Sequence, residues 1–293
     1  MKRRELFPFD GGLAARMVAA AVLTPLVVVA VLAAIVVFAP WRLVAGVAIA
    51  SVIGVVAAVR ERRSRPAPIE LTAEEAPAVH AIVERLCVVA DLPKPRIVLE
   101  QEHQPNSWIV SIGRSRSQLH LTQGLLDSLE PVELEAVIGH ELAHVAHRDA
   151  AVMTVVGGPG AVLQSGGSQL TRRGVFWFIQ LGGVLAMAIG WLASIGTRTL
   201  SRYREFAADA GAVALTGNPA ALASALMKVS DGLVAIPRQD MREAEARDAF
   251  HLLPVGVQEL RLLATHPPLR ARIERLQRLE SGLQSARPAA RVE

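Results

Sequence analysis

Two long uncharged runs near the amino terminus constrain the fold of this chain more than any other feature. Met17–Ala39 has no charged residue and exceeds the roughly 20 residues that a helix needs to cross a bilayer. Leu43–Val59 follows after a short link and ends at an arginine-rich segment, residues 60–65. The two runs predict a helical membrane hairpin. Since basic residues flank both of its ends, the positive-inside rule places both ends in the cytoplasm.

Two further apolar segments lie in the middle of the chain. Ala150–Leu170 is uncharged, but its glycines make it a poor autonomous helix. Gly174–Gly196 has tryptophans near its two ends, where an aromatic belt would lie. These segments predict a second membrane-associated hairpin, because an even number of crossings keeps the flanking soluble segments on one side of the bilayer. In total we expect about four transmembrane or membrane-associated helices.

The remaining segments predict a mainly α-helical soluble domain with a small β-sheet. Helical spacing, with Thr72 as a cap for the first helix and a proline opening the second, alternates with short runs rich in β-branched residues. The predicted helices are Leu71–Ala90, Pro131–His147, Leu200–Leu215, Pro219–Leu233 and Pro268–Leu279, and the predicted strands are Arg96–Glu100, Trp108–Ile112 and Ser117–Thr122.

An HExxH arrangement lies inside the predicted helix Pro131–His147. Its histidines, His140 and His144, are four residues apart and share a helix face, so both imidazoles can reach one Zn²⁺ ion. Glu141 sits beside them as a candidate general base. His147 lies on the same face as His144, but it is about 10.5 Å along the axis from His140, too far to share the ion easily.

A zinc site that hydrolyses amides needs a third protein ligand and one open position for water. Glu205 and Asp209 lie one helical turn apart in a downstream helix. Glu205 can complete a His₂Glu site, and Asp209 can accept the free N–H of a ligand histidine. On these two residues alone, an ordinary solvated helix face stays open as an alternative.

Composition excludes some other functions. The chain carries no basic stripe interleaved with aromatic residues, so we do not expect it to bind nucleic acid. Cys87 is the single cysteine, which excludes an intramolecular disulfide and fits a reducing compartment. The apolar segments contain no acidic or basic residue to line an ion path, which argues against a transporter.

Three blocks of residues together resemble the family of the HtpX heat-shock protease and the CAAX prenyl endopeptidases. The blocks occur in the family's order, and with the apolar segments the resemblance covers nearly the whole chain. They are Gly139–His144 with Asp149, then Glu205–Asp209, then Thr265–Leu269 with Arg272 and Ile273.

The resemblance implies a gluzincin site with one zinc ion per chain. In such a site His140, His144 and Glu205 bind the metal, Glu141 is the base and Asp209 supports a ligand histidine.

The same resemblance assigns roles to residues outside the zinc ligands. His266 would face the oxyanion, and Arg272 would support the site through a carboxylate. Asn106 and Trp108 lie where relatives have an Asn-Ala-Phe motif before an edge strand that holds the substrate. This chain has Ser107 and Trp108 at the last two positions of that motif.

The apolar segments and the resemblance together predict a domain layout. It consists of an amino-terminal transmembrane hairpin at 1–65, the first part of the catalytic domain at 66–149, a membrane-associated helical hairpin at 150–196, the second part of the catalytic domain at 197–284 and a loose tail at 285–293.

The function implied is a zinc endopeptidase of the cell inner membrane. Its catalytic domain would face the cytoplasm and cleave membrane or misfolded proteins, so the expected partners are protein or peptide substrates and the lipid bilayer. Prenylated peptides are an alternative substrate. A catalytically silent zinc-binding membrane sensor or scaffold is the alternative from a different class. The presence of Glu141 favours the enzyme, since a scaffold has no need of that carboxylate.

Overall fold

The computed structural model describes residues 41–64, 69–112, 116–173, 177–235 and 267–286, together with scattered helical positions between 12 and 37. These residues are mostly helical and include a small mixed sheet, which confirms the coarse fold class. Most of the run Met17–Ala39, the residue His266 and most of the tail 285–293 lie outside the described residues. Among the helices that are described, none is both long and apolar enough to qualify as a candidate membrane span.

The chain divides into two compact units. The first takes the described residues within Pro68–Ala150 and Ser201–Glu293, and the second takes those within Asp10–Ala67 and Ala151–Leu200.

A four-stranded sheet belongs to the first unit. Its strands are β1 (Ile69–Glu70), β2 (Arg96–Glu100), β3 (Ser107–Ile112) and β4 (Arg116–Thr122). Their order is β1-β2-β4-β3, with β2 and β4 parallel and the other pairs antiparallel, so β3 lies at an edge of the described sheet. The three predicted strands are confirmed to within one residue. Strand β1 was not predicted, because two residues are too few to show alternation.

The helices of the first unit pack around a core of aliphatic side chains. Leu119 and Leu121 of β4 alternate with more polar neighbours and are fully buried in this core, together with Ile138 and Leu142 of the HExxH helix. The helices are α2 (Pro77–Ala90), α3 (Gln123–Ser128), α4 (Pro131–His147), α7 (Pro219–Ala235) and α8 (Leu269–Ala286), with the last turns of α6 (Trp177–Thr216).

Helix α4 begins and ends where its sequence predicts. Pro131 occupies the first turn, and Glu130 and Glu133 form a capping box that satisfies backbone N–H groups at the start. The helix ends at His147, and Arg148 follows in the left-handed conformation with φ of 60°. These caps set the two ends of the helix that carries the HExxH segment.

Helix α2 begins later than predicted. Thr72 caps a separate turn in which Glu75 N donates to Thr72 Oγ1 at 3.3 Å, and the helix itself begins at Pro77. Leu71 instead extends the sheet, since its N–H donates to Ile97 O at 2.9 Å.

The second unit contains α1 (Trp41–Ser64), most of α5 (Asp149–Arg173) and the first part of α6. The glycine-rich segment forms a continuous helix despite its composition, because its glycines allow close packing. A Cβ added to Gly166 would lie 1.6 Å from Ala50 O of α1. Helix α6 also differs from prediction, because it joins the apolar segment 174–196 and the predicted helix 200–215 without a break after Trp177.

Candidate metal centre

Two histidines of α4 and one glutamate of α6 converge within the first unit. His140 Nε2 lies 3.2 Å from His144 Nε2, and the two Glu205 oxygens each lie 3.6 Å from one of these nitrogens. Among the described residues, these three form the one His/Cys/Asp/Glu group that could hold a metal ion, and His147 is not part of it. The group is largely buried, with His140 1% and Glu205 4% exposed.

The distances fit a tetrahedral cation. Ligands about 2.0–2.1 Å from a tetrahedral zinc ion lie about 3.3 Å from one another, close to the separations of the three side chains here. Two imidazoles and one carboxylate are also a donor set that catalytic zinc sites use, with a fourth position left for water. Both the chemistry and the spacing of this cluster therefore fit zinc.

Behind His140 lies a buried aspartate paired with a buried arginine. Asp209 Oδ1 lies 3.0 Å from His140 Nδ1, and Arg272 donates to both Asp209 oxygens, from Nε at 2.9 Å and from a terminal nitrogen at 2.7 Å. Burial alone would raise the pKa of Asp209, but the charge of Arg272 and the hydrogen bond from His140 lower it below its usual value. Arg272 also lies 3.4 Å from Glu205 and is 0% exposed.

A second arrangement of the same kind lies behind His144. Its Nδ1 lies 2.6 Å from Asp149 Oδ2, and Arg204 Nε lies 3.0 Å from the same oxygen. Burial alone would raise the pKa of Asp149, but the charge of Arg204 and the hydrogen bond from His144 lower it.

The two aspartates determine which ring nitrogens face the cluster. Because the pKa of each carboxyl is lowered, both Asp149 and Asp209 are carboxylates that can only accept hydrogen bonds. Nδ1 of His140 and of His144 therefore carries a proton and donates it to the carboxylate. When the ring is neutral, the Nε2 lone pair is the one left to point at a cation.

Glu141 is held by a residue that the sequence did not single out as functional. Ser107 Oγ donates to Glu141 Oε1 at 2.8 Å, and both residues are buried. Asn106, which precedes Ser107, is bonded to the end of β4: its N–H donates to Thr122 Oγ1 at 2.8 Å.

Trp108 does not join this cluster. Successive strand residues point to opposite faces of the sheet, so Trp108 points away from the face on which Ser107 meets Glu141. Its ring stacks on His120 with centroids 4.9 Å apart, and His120 Nδ1 lies 2.8 Å from Glu100 Oε1.

Sequence reasoning gave no role to Ser107, Asp149 or Arg204, although sequence signals existed for two of them. Asp149 lies two residues after the predicted end of the helix at His147, so it is close enough in sequence to reach the last turn of the helix. Arg204 is the neighbour of the carboxylate Glu205 on α6. For Ser107 no comparable signal existed, because the predicted strand begins one residue later, at Trp108.

Comparisons with known proteins agree with this geometry. Residues 73–280 match the family model described as Peptidase family M48. A protein named Protease HtpX homolog from Moorella thermoacetica is 40% identical over 234 residues, which cover 74% of this chain and 77% of the relative. Protease HtpX homolog 1 from Streptomyces coelicolor is 39% identical over 230 residues, covering 73% of this chain and 74% of the relative.

Among solved structures, Ste24p of S. mikatae aligns with 94% of this chain at 17% identity and a TM-score of 0.48. The alignment spans 60% of the length of that protein.

Proposed function

The chain belongs to peptidase family M48 and is a metalloprotease, and from that premise we propose that it is a membrane-embedded zinc endopeptidase. Its substrates are membrane or misfolded proteins, which it cleaves on the cytoplasmic side as part of protein quality control. The observation that carries the proposal is the convergence of His140, His144 and Glu205. Their separations match those expected around one tetrahedral zinc ion.

In the proposed mechanism His140, His144 and Glu205 would hold a zinc ion, which would supply Lewis-acid polarisation of the scissile carbonyl and a lowered pKa for the attacking water. Glu141 accepts the proton of the attacking water and passes it to the leaving amine. The two aspartates hold the rings of His140 and His144 in the tautomer that leaves Nε2 free. The role of His266 in stabilising the oxyanion is proposed from the family resemblance.

Arg272 acts on the site through charge. It lies between Asp209 and Glu205 and offsets the repulsion between two buried carboxylates. We therefore assign it a positioning role rather than direct contact with the substrate.

Strand β3 is the proposed binding edge for an extended peptide. One side of an edge strand offers backbone N–H and C=O groups that can pair with another chain, as in other complexes formed by strand addition. The first residue of β3, Ser107, contacts Glu141, so a peptide on this strand would lie close to the base. Asn106 fixes the start of the strand, and Trp108 is proposed to support it from the opposite face.

Two features support the membrane location. The uncharged runs of the sequence are flanked by arginines, as expected beside anionic headgroups. In the second unit, large apolar side chains are exposed, including Trp41 at 74% and Trp177 at 71%. Exposed apolar surface of this kind is typical of membrane contact.

Proteolysis by the purified full-length chain in detergent, with casein as substrate, tests the proposal. We expect zinc-dependent cleavage that a chelator abolishes. Glu141→Gln should keep zinc but lose about 100- to 10,000-fold in rate, because general base catalysis contributes that much. Glu135→Gln is the matched control, since Glu135 lies on the same helix but pairs with Arg85 at 2.8 Å.

Two outcomes would contradict the proposal. Full activity of Glu141→Gln would remove the assigned base. Bound zinc in the wild type without any chelator-sensitive cleavage would favour the silent scaffold.

A further inference from the structure

Ser107 connects the proposed substrate strand to the proposed base. It is the first residue of β3 and is 0% exposed. Its hydroxyl donates to Glu141 Oε1 at 2.8 Å across a sequence separation of 34 residues. Glu141 is itself 2% exposed, so this hydrogen bond is shielded from solvent.

A hydrogen bond at this position restricts the orientation of the carboxylate. The last torsion of a glutamate side chain is broad and roughly two-fold, so an unrestrained carboxylate samples many orientations. A hydroxyl that donates to Oε1 restricts that torsion and leaves both lone pairs of Oε2 without a bond from Ser107. Hydrogen bonds to ionised groups are also stronger than those between neutral groups.

Ser107 is itself held in place. Its N–H donates to Asn106 Oδ1 at 2.9 Å, and the Asn106 N–H donates to Thr122 Oγ1 at 2.8 Å. Thr122 N donates back to Asn106 O at 3.1 Å, which ties the start of β3 to the end of β4. The serine hydroxyl is therefore presented by a fixed backbone rather than by a free loop.

We propose that Ser107 is a positioning residue that orients Glu141 for proton transfer and links its orientation to the edge strand on which the peptide lies. The inference rests on the proposed function of Glu141. It extends that function to a residue outside the candidate ligand group of His140, His144 and Glu205.

Replacement of the hydroxyl is the direct test. Ser107→Ala should lower kcat for a peptide substrate about tenfold, the size expected for a lost hydrogen bond to a charged group. KM should stay within about twofold, because the serine side chain does not hold the peptide. Ser107→Thr keeps the hydroxyl but adds a methyl group at a buried position, so it should recover part of the lost rate.

Ser117→Ala is the matched control. Ser117 is also a buried serine of this sheet, and its hydroxyl is bonded to Ser111 Oγ at 3.0 Å. Its replacement removes one partly buried hydrogen bond of the same sheet without removing the bond to Glu141, so kcat should stay close to that of the wild type.

Two measurements other than turnover separate positioning from a general structural role. Zinc affinity, measured by chelator competition, should be the same in Ser107→Ala and the wild type. A dipeptide hydroxamate, whose hydroxyl bonds to a correctly placed glutamate, should bind the zinc-loaded Ser107→Ala variant about tenfold more weakly.

The outcomes distinguish this inference from the proposed function. Wild-type kcat and wild-type hydroxamate affinity in Ser107→Ala would overturn the inference while leaving the enzyme intact. Parallel loss of kcat and zinc affinity would also overturn it, since the serine would then support the fold. If the wild type itself showed no turnover, the proposed function would fail, and the hydroxamate comparison would still decide whether Ser107 orients Glu141.

Discussion

Each histidine of the metal cluster is paired with an aspartate, and each aspartate with an arginine. His140 is backed by Asp209 and Arg272, whereas His144 is backed by Asp149 and Arg204. Such partners fix the ring tautomer and make the ligand nitrogen more basic. The candidate metal centre therefore contains several buried charged groups, and a bound cation changes their net charge.

The pKa of His140 predicts how zinc binding depends on pH. Burial alone would lower this pKa, but contacts with Asp209 and Glu205 raise it to about 9 when no cation is bound. At neutral pH the free ring is therefore protonated, whereas a zinc ligand must be neutral. Zinc binding should release a proton, and the apparent affinity should rise about tenfold per pH unit toward pH 9.

Chelator competition at several pH values and calorimetry in two buffers of different ionisation enthalpy measure these quantities. Zinc binding without proton release near pH 7 would show that His140 is already neutral there.

Arg272 gives a prediction about stability. Arg272→Ala leaves Asp209 and Glu205 as buried carboxylates without their positively charged partner. Breaking a buried ion pair in this way should lower the free energy of unfolding by about 3–5 kcal/mol. Zinc supplies positive charge to the same group of residues. The melting temperature of the variant should therefore fall further below that of the wild type in the presence of a chelator than in the presence of zinc.

Arg270→Ala is the control for this change. Arg270 is two residues away on α8, and its pair with Glu274 is exposed, so its loss should hardly alter melting. Equal melting curves for both variants would contradict the role of Arg272 in balancing buried charge.

At the scale of helices and strands, the parts with strong local signals were predictable. Pro131 at the start, followed by Glu133 and Glu135, predicted helix α4 as Pro131–His147, and the structure gives the same bounds. Local signals were insufficient elsewhere. Thr72 is a residue type that often caps helices, and it does cap a turn here. That turn ends before Pro77, where α2 begins, so the predicted start of the helix was too early.

Helix α5 shows why intrinsic propensity can mislead. Its glycines disfavour an isolated helix, yet they are the residues that allow neighbouring backbones to approach. The residues that form such contacts are far apart in the sequence, so the composition of a short segment does not predict them.

Glycines of α5 provide a test of this packing. In Gly166→Ala the new Cβ would meet Ala50 O at 1.6 Å, so we expect the helices to move apart and the melting temperature in detergent to fall. Gly158→Ala on the same helix meets nothing within 4 Å, and its better helix propensity should maintain or raise the melting temperature. Equal effects of the two changes would show that close approach does not stabilise the second unit.

At the scale of the whole molecule, the candidate site joins segments that are distant in sequence. The HExxH pair is a local pattern and was predictable from helix geometry. On chemistry alone Glu205 was one candidate for the third ligand, and the family resemblance made it the preferred one. Residue spacing does not predict which distant helix packs against α4. Ser107 escaped prediction because a serine in a strand carries no chemical signal until its neighbour across the fold is known.

The central claim is that α4 and α6 together hold one zinc ion. Zinc content and affinity of the wild type, Glu205→Ala and a control, Glu74→Ala, test it most directly. Glu74 is an exposed glutamate outside the candidate ligand group. We predict one zinc ion per chain in the wild type and the control. The affinity of Glu205→Ala should be lower by about 100-fold or more, because losing a ligand costs at least as much as losing a residue that supports a ligand, which costs about 10- to 100-fold. Wild-type zinc stoichiometry and affinity in Glu205→Ala would contradict the claim.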